Sequence, residues 1–260
     1  MSDFNSVLSK FNPISLDEMD RVKLMERTDT KYVFNIKNLP EILEGMISQY
    51  SLLEINNIRN QRYESLYFDT KDYLFYKKHL IGKTTRYKIR FRKYLDSKGL
   101  TFFEIKHKNN KGTTCKKRVQ MLDIPSVISE NANEFLLKHT PYQPEMFTPS
   151  IWVNYSRMTF VNNDSQERIT IDTNLTYKKA DYPDINSVSF PQLVIAEVKR
   201  EKAASISQFI RLVRKTGVRE GSISKYCFGI YNLINNVPKN NFKPKVRFVC
   251  KMASLPFNNN

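Results

Sequence analysis

The stretch Arg86–Tyr94 reads RYKIRFRKY, and its period of two decides what this chain builds. Arg86, Lys88, Arg90 and Arg92 fall on one side, and Tyr87, Ile89 and Phe91 on the other. That alternation predicts a half-buried β-strand. Same-face neighbours on a strand lie ~7 Å apart. At an effective dielectric of ~20, two unit charges at that spacing repel by roughly 2 kcal/mol. A row of cations on one strand face therefore implies an anionic partner.

The pattern recurs to either side. In TFFEIKHKN, Phe102, Glu104, Lys106 and Lys108 share a face, with Phe103 and Ile105 opposite. Lys116 and Arg118 align in TCKKRVQ, and Tyr155, Arg157 and Thr159 in VNYSRMTF. In ERITIDTNL, Arg168, Thr170 and Asp172 stand against Ile169 and Ile171. LVIAEVKRE sets Glu197 and Lys199 against Val194, Ala196 and Val198, and DTKYVFN sets Lys31 opposite Tyr32 and Phe34. One charged strand face is usually just a solvated face. Repeated over this many strands, the pattern predicts a continuous polar sheet face rich in Arg and Lys. Closing an antiparallel sheet on itself would turn that face into a basic lumen, with Glu104, Asp172 and Glu197 interleaved among the cations.

The remaining elements are read from punctuation. A helical pattern through Ile14, Leu16, Met19, Val22 and Met25 precedes a strand over Asp29–Ile36. NLPEILEGMISQY reads as a helix with Asn38 as N-cap and Pro40 in its first turn. YESLYFDT is a strand, and KDYLFYKKHLIG a short helix closed by Gly82. Strands over Arg86–Tyr94, Leu100–Lys108 and Thr113–Met121 form hairpins through SKG and NNKG. After a polar interval containing the helix candidate NANEFLLKH come the strands IWVNYSRMTFV, ERITIDTNLTY and LVIAEVKRE. SISQFIRLVRKTG is helical with Gly217 as its stop, and SKYCFGIYNLI is a final helix. The expectation is a single α+β domain over residues 1–237, an antiparallel tunnel barrel with helices packed outside. Residues 238–260 are expected to form a mobile tail.

Composition narrows the partner. The 260 residues carry a net charge of +16, which points to nucleic acid, an anionic membrane or a phosphate-rich small molecule. Hydrophobic residues make up 40%, enough for a large core. Cys115, Cys227 and Cys250 share no metal-type spacing and suit a reducing compartment. No secretion signal is legible, and no apolar run reaches the ~18 residues needed to span a bilayer. The expectation is a soluble, cytoplasmic protein of unspecified oligomeric state. The glycines form no P-loop. His79, His107 and His139 are scattered, and no nucleophilic triad can be assembled. Phosphate recognition would rest on Arg and Lys, which suit multidentate contact with phosphate oxygens.

A family resemblance now follows from residues in order: ERTDTKY (Glu26 to Tyr32), RFRKY, FFEIKHK, the K-x-R of Lys116 to Arg118, YSRMTF, RITIDTNL, VIAEVKR and SISKY. Together they resemble the VTC domain, the catalytic domain of the vacuolar transporter chaperone polyphosphate polymerases, within the CYTH-like triphosphate tunnel enzymes. The chain looks like a stand-alone, bacterial-type member. The resemblance implies a tunnel that binds ATP, inorganic polyphosphate and a divalent metal, Mn or Mg. Carried over by motif, Arg90, Arg92, Lys106 and Arg157 would be catalytic. Lys31, Lys116, Arg118, Arg168, Lys199, Ser224 and Lys225 would join them in binding phosphate, and Glu197 would hold the metal.

The sequence departs from the pattern in places. Glu26 stands alone with Thr28 two residues on, so the tunnel enzymes' E-x-E-x-K is absent, and Leu95 replaces a glycine. Three readings stay open at this point. One is a polyphosphate polymerase that transfers the γ-phosphoryl of ATP to a growing chain. Another is a tunnel hydrolase of triphosphate or polyphosphate. The third is a non-catalytic module that binds a polyanion. Nucleic acid is disfavoured because the strand aromatics are expected mostly on the face opposite the cations.

Overall fold

The computed structural model describes residues 4–21, 27–126, 128–181, 187–201, 207–221 and 223–257. Its centre is an eleven-stranded sheet. From the N-terminus come α1 (Asn5–Leu8), β1 (Asn12–Ile14), α2 (Leu16–Arg21), β2 (Arg27–Asn35), α3 (Leu39–Glu44), β3 (Tyr50–Leu53), β4 (Gln61–Thr70) and α4 (Leu74–Leu80). The charged hairpins follow as β5 (Arg86–Tyr94), β6 (Leu100–Lys108) and β7 (Thr114–Met121), then α5 (Glu130–His139). The long strands β8 (Phe147–Asn162) and β9 (Glu167–Lys179) lead into β10 (Ser187–Phe190) and β11 (Leu193–Glu201). Helices α6 (Gln208–Lys215), α7 (Lys225–Leu233) and α8 (Lys243–Ala253) complete the described chain.

The strand order is β2-β11-β9-β8-β4-β5-β6-β7, antiparallel throughout, with β3 paired to β8 and β10 to β9 at the side. The expected closure into a barrel is therefore wrong. The sheet is open, and no pairing joins β2 to β7 among the described residues. A local cause is visible on β2. Its outer edge is already engaged, because the Gly221 N–H donates to the Lys31 carbonyl at 2.9 Å and Tyr32 bridges Glu220. Gly221 is needed there, since a Cβ would lie 2.2 Å from the Phe248 ring. At the other end β7 is an exposed edge.

Strand alternation sends side chains to two faces, and each face has its own packing. On the outer face, Tyr32 and Phe34, Met158 and Phe160, Ile169 and Ile171, and Val194, Ala196 and Val198 pack with α3 and α6 in one core. Ile89, Phe91, Phe103 and Ile105 pack with Leu66, Phe68 and Leu136 of α5 in another. These are the apolar rows that the sequence pattern singles out. A third core lies on the inner face. There Val33, Tyr67, Ile151, Val153, Leu175, Tyr177, Leu193 and Ile195 meet Tyr226, Phe228, Ile230 and Leu233 of α7, together with α8. Gly229 lets α7 seat directly on the sheet, for a Cβ would come within 2.5 Å of Tyr177 and 2.6 Å of Ile151.

Other departures from expectation are local. Tyr50 begins β3 rather than closing a helix, and Ile14 lies in β1. Val22, Met25 and Glu26 lie outside the described residues. Beyond Val237, where a tail is expected, α8 buries Val246, Val249, Cys250 and Ala253. Its apolar positions at i, i+3, i+4 and i+7 are a helical face. Gly82 and Gly217, at φ +70° and +75°, follow α4 and α6 as the sequence predicts. No helix among the described residues is long and apolar enough to cross a membrane.

Candidate functional site: a cationic half-groove

The inner face is divided along the strands. On β11, Leu193 and Ile195 belong to the α7 core, while Glu197 and Lys199 continue the same side beyond it. On β8, Ile151 and Val153 give way to Tyr155 and Arg157, and on β9 Tyr177 and Leu175 give way to Asp172. One half of the groove is thus filled by α7. The other is lined by charge.

Three carboxylates organise the charged half. Glu104 of β6, 1% exposed, takes Arg90 of β5 at 2.6 Å and also pairs with Lys116 of β7. Burial alone would raise its pKa, but Arg90, Arg92 and Lys116 outweigh that and hold it well below the ordinary carboxylate range. Asp172 of β9 accepts two bonds from the Arg157 guanidinium, at 2.6 and 2.8 Å, and one from Lys225 Nζ at 2.5 Å. Against its burial, Arg157 and Lys225 likewise keep it ionised far below the usual range. Glu197 of β11 lies 2.7 Å from Lys31 Nζ of β2 and 3.9 Å from Lys199 Nζ. Burial opposes its ionisation, yet Lys199 and Lys31 bring its pKa down to about 2.

Cations outnumber these acids. Lys106 of β6 reaches solvent and has no ion-pair partner among the described residues. Desolvation by the groove wall, then repulsion from Lys88, lowers its pKa to about 8 despite the nearby Glu197. Lys88 donates to Ser224 Oγ at 3.2 Å, and Ser224 itself caps α7 through the Cys227 N–H. The N-terminus of α7, with its positive dipole end, thereby meets the charged half. Arg92 is buried, with Nε 3.2 Å from Ser65 Oγ and its guanidinium over the rings of Tyr63 and Tyr155. Arg118 lies over the Phe102 ring at 4.5 Å. Arg168 stands across from Lys199 in the β9–β11 register.

The expected residues thus gather on one face, from Lys31 on β2 to Lys116 on β7. Sequence reasoning passed over three features. Lys88, in the same row as Arg90, was not assigned a role. Tyr67 receives a 2.7 Å bond from Arg90. Burial would raise its phenol, but Arg90, Arg92 and Lys88 pull it to about 8. Most importantly, Tyr63, Tyr67 and Tyr94 join Phe102 and Tyr155 among the cations, so the strand aromatics do not lie mostly opposite them. Parity carried on from Arg92 to Tyr94, and across to β4, is the signal for these three.

The metal expectation meets a donor set that does not suit it. Hard divalent ions take six or more oxygen ligands. Here Glu104, Asp172 and Glu197 are each committed to lysine or arginine. Among the described residues, no three His, Cys, Asp or Glu side chains converge. These residues form no protein cage for a resident ion.

With this geometry in view, the VTC domain profile matches residues 26–234. No curated protein matches the chain. Among solved structures, a Bacillus halodurans protein described as a candidate adenylate cyclase shares 10% identity, at TM-score 0.43, over 77% of this chain and 96% of its own. HpAC1 of Hippeastrum, described with a dominant triphosphatase activity, shares 11% at TM-score 0.45, over 82% and 98%. The Mediator head module of Schizosaccharomyces pombe shares 10% at TM-score 0.39, over 74% and 92%. Likenesses this remote determine neither the fold nor the chemistry of the chain.

Proposed function

The chain belongs to the VTC domain family, and from that premise we propose that its charged half-groove binds a triphosphate and cleaves the terminal phosphoanhydride with water as acceptor. The observation that carries this reading is the filling of the other half by α7, Tyr226 to Leu233 packing against inward residues of β4, β8, β9 and β11. A groove blocked on one side by apolar packing suits a short anionic group better than a chain threaded end to end. Arg90, Arg92, Lys106 and Arg157 would surround the phosphoryl group being transferred. Lys31, Lys88, Lys116, Lys199 and Lys225 would neutralise the rest of the triphosphate. Phosphoryl transfer needs little covalent help from a protein, and stabilising the charge on the transferring oxygens is most of the catalysis. Mn or Mg enters this reading as counter-ion of the triphosphate substrate.

The polymerase reading, with the γ-phosphoryl of ATP passing to a polyphosphate end, is favoured by the motif resemblance. Incubation with ATP, inorganic triphosphate or longer polyphosphate plus Mg²⁺ or Mn²⁺ separates the two. Release of orthophosphate, with affinity levelling off at triphosphate length, supports the hydrolase. A polyphosphate ladder on a gel, with affinity still rising beyond triphosphate, replaces it with the polymerase. Unchanged triphosphate overturns both in favour of a binding module.

A further inference from the structure

A second cationic region lies outside the groove, where the end of α4 meets the start of α8. From Gly221 to Asn260 the sequence holds no Asp or Glu, yet besides Lys225 of the groove it holds Lys239, Lys243, Lys245, Arg247 and Lys251. Helix α8 buries Val246, Val249, Cys250 and Ala253 and leaves Lys245, Arg247 and Lys251 exposed. Two contacts fix its start beside α4. The Tyr76 hydroxyl donates to the Pro238 carbonyl at 2.8 Å, and the His79 ring meets Phe242 edge-on at 6.4 Å. Burial first, then Lys88, Arg86 and Lys245, lower the pKa of His79 to about 3, so cations crowd this junction. Lys83, Lys239, Lys243 and Lys245 make no ion pair among the described residues, and Asp72, just before α4, is paired with Lys77.

The same junction carries an apolar tip. Ile81, in the turn that ends α4, is 59% exposed. Gly82 follows at φ +70°, and a Cβ there would meet nothing within 4 Å, so the turn stands clear of the rest of the molecule. A phosphate chain or a nucleic-acid backbone would use the lysines but gain nothing from the isoleucine. Single-stranded nucleic acid also needs open rings to stack on, and Tyr76, Tyr231 and Phe242 are buried here. An anionic bilayer uses both features. Its headgroups attract lysines close to the surface, and its interface takes an apolar tip out of water.

We propose that the turn after α4 and the start of α8 form a docking surface for an anionic phospholipid bilayer, with Ile81 entering the interface and Lys83, Lys239, Lys243 and Lys245 facing the headgroups. Docking is peripheral and stands independently of the triphosphate reading. Arg86 Nη1 of β5 lies 3.4 Å from His79 Nδ1, so docking here holds the β5 end of the groove beside the bilayer.

The test is co-sedimentation of the full chain with vesicles of phosphatidylcholine alone and of phosphatidylcholine mixed with phosphatidylserine. The wild-type chain is expected to sediment with the mixed vesicles only. The double variant Lys243→Gln with Lys245→Gln should lose roughly 30-fold in partition, about fivefold per cation. Ile81→Ser should lose ~5- to 20-fold, the effect of no longer burying a half-exposed isoleucine. All three substituted positions are at the surface, and an unchanged melting temperature confirms that the variants fold. Binding to neither vesicle type, or equally to both, overturns the docking surface. So does an unchanged partition of Ile81→Ser, which would leave the lysines to a soluble polyanion. A loss for Lys106→Ala as large as that of the double variant also overturns it, by assigning the attraction to the groove.

Discussion

The two halves of the inner face share β2, β8, β9 and β11 and the same alternation, yet they do opposite things. In the half nearer α7, Leu193, Ile195, Leu175, Tyr177, Ile151 and Val153 are satisfied by the chain's own helix. In the other half, Lys31, Arg90, Lys106, Arg157 and Lys225 stand around Glu104, Asp172 and Glu197. The first half stabilises the fold through apolar burial. The second is tolerable because its carboxylates offset part of the repulsion, and it leaves a surplus of positive charge facing inward. Such a surplus is what the triphosphate of the proposed function would neutralise.

The largest expected effect breaks the charged half at Asp172, a buried acid that holds two cations. Asp172→Ala removes the partner of both Arg157 and Lys225, which are 21% and 17% exposed. Deleting one partner of a buried ion pair costs about 3–5 kcal/mol, and the partial exposure places this variant at the lower end. Urea unfolding measures it, and an unchanged midpoint would show that the acid is not needed to hold the cations. The sign with pH follows from the same pair. The folded-state pKa of Asp172 is depressed, so its contribution is present above the ordinary carboxylate range and is lost as pH falls through the folded value. Acid unfolding should therefore begin earlier in wild type than in a hydrophobic replacement of Asp172, Arg157 and Lys225 together.

Lys106→Ala should do the reverse of Asp172→Ala. It removes a cation from a repulsive cluster, so thermal stability holds or rises. Triphosphate affinity falls by about 1.5–3 kcal/mol, the contribution of one charge-assisted contact. A titration at two salt concentrations checks this, and high salt should shrink the difference. If Lys106→Ala lowers the melting temperature and spares binding, the charged half is structural after all.

Gly229→Ala probes the packed half. The added Cβ meets Tyr177 and Ile151 on the sheet, and overpacking of this kind costs about 1–3 kcal/mol. Because α7 also carries Lys225 and the Ser224 cap, triphosphate affinity should fall with stability. Loss of stability alone would mean the two halves are independent.

The smallest effect is a pH dependence of binding. Lys106 and Tyr67 are both brought to about 8. Raising pH through 8 removes a positive charge at one and adds a negative charge at the other, so affinity for triphosphate declines by a few-fold above pH 8. Isothermal titration between pH 7 and 9 measures it, and the double variant Lys106→Arg with Tyr67→Phe should flatten the profile.

Much of the fold was legible because alternation is a local property. Arg86–Tyr94 and Leu100–Lys108 appear as strands with the bounds read from the sequence, and Ile89, Phe91, Phe103 and Ile105 lie in the outer core as their parity requires. The interleaving of Glu104, Asp172 and Glu197 among the cations was legible too, but not which cation each acid holds, since Lys225 reaches Asp172 from α7. The short pieces were not. Tyr50–Leu53 makes a strand because β8 and β1 flank it, not because four residues prefer to be extended.

By itself, then, the sequence determined which side chains share a face, and with that the separation of the outer apolar cores from a basic inner face. It could not determine whether the sheet closes. Closure depends on what occupies the edge of β2, and that edge is taken by Gly221 from a segment 190 residues along the chain from the strand's Lys31 carbonyl (221 less 31). Nor could it say which stretch of the inner face stays open. Leu193 and Glu197 point the same way along β11, and only the seating of α7 on Gly229 decides that one is core and the other is site. Both outcomes arise from contacts between residues far apart in the chain, where the period of a strand carries no information.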